Sequence, residues 1–179
     1  EKYDPAYRAP LEKTIRFVLE SQYPIGGWPQ RYPLKHDHPF HGKEDYSSFI
    51  TLNDDVIPEN IDFLIQCYQV LGMQDLKAPI MRALNCVLAL QQGAPYAGWA
   101  DQYTVTDLQP AHARSYEPRS VNTGTTAHMV MKMLDYYRLT GDSKFLSGIP
   151  AAIRFLESMK LPESEVKKWR RPVRENTIL

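Results

Sequence analysis

The stretch NDDVIPENIDFLIQCYQVLG, which runs from Asn53 to Gly72, contains the pattern that decides the fold. Its apolar residues recur every three or four positions, which is the spacing of one face of an α-helix. Acidic residues stand at its start, where the helix dipole favours negative charge, and a glycine follows its end. The stretch therefore predicts an amphipathic helix from Asp54 to Leu71.

The same pattern returns in a second stretch, NTGTTAHMVMKMLDYYRLTG, which begins 122 − 53 = 69 positions later. Tyr68-Gln-Val-Leu-Gly in the first stretch corresponds to Tyr137-Arg-Leu-Thr-Gly in the second. Two Gly-Trp segments precede these helices, and their tryptophans, Trp28 and Trp99, are 99 − 28 = 71 positions apart. The chain therefore contains a weak internal repeat of about 70 residues.

Three further amphipathic helices are predicted around the repeated stretches: Tyr7–Gln22, Leu76–Gln91 and Lys144–Met159. Long polar loops rich in Pro and Gly occupy residues 23–48 and 93–119. A repeating unit that contains a helical hairpin predicts an all-α fold in which hairpins form a ring, an α/α toroid. We expect a single domain over residues 1–179, with the long loops gathered at one end and carrying the site.

The charge balance excludes some classes of partner. The chain has 21 basic and 21 acidic side chains, so no net field attracts it to nucleic acid or to a membrane surface. No apolar segment is long enough to predict a transmembrane helix. Cys67 and Cys86 lie in apolar helical patterns and are predicted to be buried thiols, and we expect a monomer.

Four segments carry a resemblance to a known family: GGWPQRYP (26–33), FITLNDD (49–55), GWADQY (98–103) and ARSYE (113–117). Together they resemble, in order and with suitable spacing, the conserved blocks of pectate lyases of polysaccharide lyase family ten. The match covers most of the chain. Four linked blocks are a much more specific signal than any one of them.

The resemblance implies an (α/α)₃ toroid and calcium-assisted β-elimination on polygalacturonate, the de-esterified form of pectin, in a secreted or periplasmic enzyme. Arg114 falls where the family places its proton-abstracting arginine, and Asp54 and Asp55 fall where an acidic residue serves calcium and substrate. The family also has an acidic motif before such a segment and basic residues after one like Arg174–Ile178. We therefore expect the middle of a catalytic domain, truncated at both ends, and whether this piece is active alone stays open.

The acidic pair also suits this chemistry without the family. Removing the proton beside a uronate carboxylate builds a second negative charge on that group, and a bound Ca²⁺ would offset it. Ca²⁺ prefers hard oxygen ligands such as Asp54, Asp55 and the Asn53 carbonyl. One of the two aspartates could instead cap the helix that follows. We predict that Asp54 caps the helix, while Asp55 faces the site and takes part in catalysis.

Arg114 admits two interpretations. A guanidinium is a strong cation, and chemistry alone favours a clamp on a substrate carboxylate over a base. The resemblance favours the base. Histidine and lysine are more conventional bases than arginine, so His112, His128 and Lys43 are alternative bases, with His112 the best placed of the three. We assign His112 and Lys43 to substrate binding.

Aromatic side chains in the loops could stack on sugar rings. We assign that role to Tyr103 and Tyr116, and expect the two repeated tryptophans to wedge the hairpins together. The glutamines that follow them, Gln30 and Gln102, are expected to orient loop backbone.

Two groups of polar residues receive no role in the site. A loop cluster, His36, His38 and His41, has neither the spacing nor the cysteines of a zinc site. A basic run, made of Lys167, Lys168, Arg170, Arg171 and Arg174, is expected to be a solvated surface segment.

Two alternatives come from other classes of protein. Gln22-x-x-x-Gly26-x-Trp28 matches the repeat of terpene cyclases, which are also α/α toroids. Those sites need an apolar cavity, however, and this chain has charged loops. The other alternative is a non-catalytic carbohydrate-binding toroid.

Overall fold

The computed structural model describes residues 4–34 and 45–165, and the secondary structure within these ranges is mainly helical. The helices and strands are α1 (Arg8–Ser21), β1 (Ile50–Thr51), α2 (Val56–Leu71), α3 (Lys77–Ala89), β2 (Gln102–Tyr103), α4 (Thr123–Thr140) and α5 (Ile149–Ser158). Each predicted helix is present, which confirms the all-α class. Helix α5 begins later than predicted because Ser143–Leu146 forms a separate 3-10 turn.

The repeated helices form two hairpins, since α2 packs against α3 and α4 packs against α5. Helices α2 and α4 both end at a glycine with a left-handed backbone, Gly72 (φ 68°) and Gly141 (φ 71°). This conformation suits glycine because a Cβ would be strained there. A short 3-10 turn then leads into the second helix of each hairpin. The internal repeat is therefore a structural repeat.

The two repeated tryptophans make the same contact in each copy. Trp28 Nε1 donates to the Val18 carbonyl on α1 at 2.8 Å, and Trp99 Nε1 donates to the Val87 carbonyl on α3 at 2.8 Å. Both side chains are buried. The prediction that they wedge helices together is confirmed.

A repeated glutamine ties neighbouring hairpins to each other. Gln22 Nε2 donates to the Pro79 carbonyl at 3.1 Å, and Gln91 Nε2 donates to the Gly148 carbonyl at 2.9 Å. Donors and acceptors are both separated by the repeat length, since 91 − 22 = 69 and 148 − 79 = 69. These bonds fix where each Gly-Trp loop begins.

A small antiparallel sheet joins the loops of the two copies. Strands β1 and β2 pair with Ile50 opposite Tyr103 and Thr51 opposite Gln102. The Leu52 amide also donates to the Asp101 carbonyl at 2.8 Å. The turn that follows β1 is therefore held beside the Gly-Trp loop of the second copy, and this places the candidate site.

The core lies between the helices and includes both cysteines. Cys67 and Cys86 are buried free thiols, as predicted, and burial raises the pKa of the Cys86 thiol to about 12. Across the described part of the chain, none of the helices has the length and hydropathy required to cross a membrane.

Candidate functional site

The helix start Asn53-Asp54-Asp55 has an unusual backbone. Asp54 and Asp55 have φ values of 52° and 56°, in the left-handed region that non-glycine residues rarely adopt. Each such residue costs roughly 1–2 kcal/mol. Asp55 occupies the N-cap position of α2, yet within the described residues its side chain makes no capping hydrogen bond. Both carboxylates are exposed, so the strain presents them to solvent.

Asp54 forms an ion pair with Arg114. The distance from Asp54 Oδ2 to Arg114 Nη2 is 2.5 Å, and the two side chains are 39 % and 24 % exposed. The cap assignment is wrong, because Asp55 and not Asp54 stands at the N-cap position of α2. Asp54 reaches the arginine, and a role of Asp55 in the site stays a prediction. The reason for the wrong cap assignment is the left-handed turn, which places consecutive side chains in directions that sequence alone does not reveal.

Glu117 holds the other edge of the same guanidinium. Arg114 Nε donates to Glu117 Oε2 at 2.8 Å, and Arg114 Nη2 lies 2.6 Å from Glu117 Oε1. The Arg114 backbone amide donates to Glu117 Oε2 at 2.9 Å, and Asn53 Nδ2 donates to Oε1 at 2.5 Å. The Glu117 side chain is 4 % exposed. It is a buried carboxylate whose negative charge is met by a cation.

These contacts shift the pKa values of both partners. Burial raises the pKa of Glu117, but the hydrogen bonds and charge of Arg114 outweigh it, so the pKa is lowered overall. For Arg114 the hydrogen bond to Glu117 raises the pKa, which burial opposes and Asp54 reinforces. Both groups are therefore charged at neutral pH, and this state of Arg114 suits pairing with an anion.

Three side-chain amides form a network that contacts the carboxylates of Asp54 and Glu117. Gln102 Nε2 is 3.5 Å from both Gln30 Oε1 and Asn53 Oδ1. Gln30 Nε2 in turn lies 3.3 Å from Asp54 Oδ2. The two glutamines therefore support side chains of the site, whereas the sequence predicted that they orient loop backbone.

The two tyrosines predicted to stack on sugar rings differ in exposure. The Tyr116 ring is 71 % exposed and lies 5.3 Å from the Arg114 guanidinium carbon, a distance typical of a cation–π contact. Tyr103 is fully buried in β2, and its hydroxyl accepts a hydrogen bond from the Ala100 amide at 2.6 Å. The prediction that Tyr103 binds substrate is wrong, because its ring cannot meet a sugar.

Two of the alternative bases predicted from the sequence lie within the described residues. His112 is exposed, two residues before Arg114, and His128 is exposed on α4. Lys43, the three loop histidines and the basic run from 167 to 174 lie outside the described residues.

The acidic pair is an incomplete set of ligands for a metal. Residues 4–34 and 45–165 contain no group of three or more His, Cys, Asp or Glu side chains that could hold an ion. Ca²⁺ takes six to eight oxygen ligands. Two exposed carboxylates in a strained turn, one of them shared with Arg114, fit a cation that water and substrate would coordinate for the most part.

The chain matches a protein family by its sequence and solved lyases by its structure. A family model described as pectic acid lyase matches residues 1–179. No curated protein matches the sequence. A family 10 polysaccharide lyase from Cellvibrio cellulosa has a similar structure, with a TM-score of 0.68 at 21 % identity over 84 % of this chain and 47 % of that chain. A mutant of that lyase, in complex with trigalacturonic acid, matches with the same score and identity over 84 % of this chain and 48 % of that one.

The structural likeness concerns the fold, and it confirms the predicted α/α toroid. The chain spans about half the length of these solved lyases.

Proposed function

The chain belongs to the pectic acid lyase family, whose model matches it over its whole length, and on this premise we propose that it carries the central part of a pectate lyase site. The substrate is polygalacturonate with free carboxylates, and the reaction is β-elimination. The observation that supports this proposal most is the pair of Arg114 and Asp54, a cation and an anion that are both accessible in one loop region.

An acidic sugar fits this site better than an apolar ligand. Arg114 is a planar donor suited to a carboxylate, and Tyr116 offers an exposed ring beside it. A terpene-cyclase-like function would need an apolar cavity, whereas the side chains that contact Arg114 are two carboxylates and an exposed tyrosine ring.

The reaction requires three events on the sugar. A base takes the proton from C5, the electron pair forms the C4–C5 double bond, and the glycosidic oxygen leaves from C4. Negative charge accumulates on the C5 carboxylate as the proton leaves, and a cation fixed in advance beside it stabilises the transition state.

We assign the central catalytic role to Arg114. The resemblance to the family gives it the role of the base. The two carboxylates that contact it favour the protonated form, which suits pairing with the substrate carboxylate. Either role requires the guanidinium to touch the sugar, and the effect of Arg114→Lys on kcat and KM separates them.

Asp54 and Asp55 are the residues that would hold Ca²⁺. When bound, the ion would supply positive charge that stabilises the negative charge developing on the substrate carboxylate. Within the chain, Asp54 also restrains Arg114 through its ion pair, so it links the two sources of positive charge.

We also propose that the protein acts outside the cytoplasm, as a secreted or periplasmic enzyme. Polygalacturonate is a polymer and has to be cut where it occurs.

The test is a lyase assay on the longest natural protein that contains this chain. Polygalacturonate is incubated with calcium or with excess chelator, and the unsaturated product is followed by its ultraviolet absorbance. We expect product that disappears with chelator, returns with Ca²⁺ and falls as methyl esterification rises. Binding of polygalacturonate without any product would instead favour a non-catalytic carbohydrate-binding toroid.

A further inference from the structure

The buried carboxylate of Glu117 takes no direct part in the three events of the elimination. We propose that Glu117 is a positioning residue, which together with Asp54 decides which nitrogen of Arg114 meets the substrate. This inference rests on the proposed function, because it concerns the same site.

The contacts use a defined part of the guanidinium. Of its five N–H groups, Nε–H bonds Glu117, and Nη2 lies within hydrogen-bond distance of both Glu117 (2.6 Å) and Asp54 (2.5 Å). Nη1 has no carboxylate partner among the described residues. The Nη1 edge is therefore the one left for a ligand.

Glu117 is itself fixed more firmly than Asp54. Its side chain is 4 % exposed, whereas that of Asp54 is 39 % exposed. Its two oxygens also accept from the Arg114 amide and from Asn53 Nδ2. The Glu117 amide donates to the Arg114 carbonyl at 2.9 Å, so the turn that carries both residues closes on itself.

The amide network connects the small sheet to Glu117. Gln102 lies in β2, where the sheet fixes its backbone, and its Nε2 is near Asn53, which in turn bonds Glu117. The small sheet therefore positions Glu117, and Glu117 positions Arg114. A misplacement of about 1 Å at a reacting group can reduce the rate about 100-fold.

The chain offers a matched control. Arg8 Nε donates to Glu12 Oε1 at 2.9 Å, which is the same type of pair, but the two side chains are 66 % and 55 % exposed. A solvent-exposed pair of this kind is weakly held. It therefore serves as a reference for an arginine Nε–H that bonds a glutamate at an exposed position.

The first experiment needs no substrate. Hydrogen exchange of arginine Nε–H groups is measured by ¹⁵N NMR in the wild-type protein, with the Arg114 signal assigned from its loss in Arg114→Lys. We expect Arg114 Nε–H to exchange at least about 10-fold more slowly than Arg8 Nε–H. Equal exchange rates would overturn the proposal, whether or not any Glu117 variant folds.

The second experiment is kinetic. Glu117→Gln keeps the shape but removes the charge, and we expect kcat on polygalacturonate to fall about 100-fold with KM changed less than about 3-fold. Exchange at Arg114 Nε–H should accelerate in the same variant. Glu12→Gln should alter neither quantity. A folded Glu117→Gln enzyme with wild-type kcat would overturn the proposal.

The two failures can be told apart. A wild-type protein that makes no unsaturated product contradicts the proposed lyase function, while slow exchange at Arg114 would still support its fixation by Glu117. An active wild-type enzyme with fast exchange at Arg114 contradicts the positioning role alone.

Discussion

The two copies of the repeat begin their first hairpin helix in different ways. In the second copy Asn122 has an extended backbone (φ −109°), and its Oδ1 accepts from the amides of Gly124 and Thr125, as an ordinary N-cap does. In the first copy the corresponding Asn53 turns its amide to Glu117, and two aspartates follow with left-handed backbones. The two corresponding helices therefore begin differently: α4 begins with an ordinary side-chain cap, and α2 begins with a strained turn that exposes two carboxylates.

The residues that precede these helices differ in the same sense. In the second copy Asp101 supports the cap, because it accepts from Asn122 Nδ2 at 3.0 Å and from the Thr125 hydroxyl. In the first copy Gln30 lies near Asp54 instead. Features that both copies share, such as the tryptophan bonds, build the scaffold, while the candidate site lies where the copies differ.

Arg114→Lys should produce the largest loss of activity. Within the described residues, Arg114 is the only cation that pairs with the carboxylates of Asp54 and Glu117. We expect kcat on polygalacturonate to fall by roughly three orders of magnitude, about 4 kcal/mol of transition-state stabilisation. If Arg114 is the base, this substitution should leave KM nearly unchanged. If Arg114 is a clamp on the substrate carboxylate, the substitution should mainly raise KM.

The control is Arg138→Lys, at an exposed arginine on α4 paired with Asp135. Its kinetic constants should match the wild type. A near-normal kcat and KM in Arg114→Lys would remove Arg114 from the reaction.

The acidic pair gives the next largest effect. Asp54→Ala should lower activity about 100-fold and Asp55→Ala less, because Asp54 is the member of the acidic pair that forms an ion pair with Arg114. Lyase rates for both variants over a range of Ca²⁺ concentrations measure this. A larger loss in Asp55→Ala would restore the order expected from sequence and place the main ligand at the helix cap.

The shared part of the two copies should respond equally. Trp28→Phe and Trp99→Phe each remove a buried indole donor and leave the carbonyl of Val18 or Val87 without it. We expect each to lower the free energy of unfolding by roughly 1–3 kcal/mol. Chemical denaturation measures both, and a large difference between them would mean that the copies are not equivalent scaffolds.

Sequence predicted the regular parts of this molecule for a physical reason. Helix spacing and a 69-residue offset are properties of local sequence, so the helices and the repeat could be inferred. The burial of Tyr103 and the pairing of Glu117 with Arg114 depend on how two distant loops meet. The position of Asp55 at the helix cap and the pairing of Asp54 with Arg114 depend on two φ angles, which cannot be inferred from sequence.

The caps themselves should show the smallest effects, with opposite signs. Asn122→Ala removes two hydrogen bonds to helix amides and should destabilise the protein by about 1 kcal/mol. Asp55→Gly relieves a left-handed residue and should stabilise it by up to about 1 kcal/mol. Thermal unfolding of both variants checks the signs. A destabilised Asp55→Gly would show that the Asp55 side chain supports the fold.

A double variant can show whether the site lies where the first copy of the repeat departs from the second. Asp54→Thr and Asp55→Gly together give the first helix the Asn-Thr-Gly start of the second. Unfolding and lyase activity are then measured on the same preparation of the longest natural protein. We expect a folded protein that forms unsaturated product at least about 100-fold more slowly than the wild type. Wild-type activity in this variant would contradict that placement of the site.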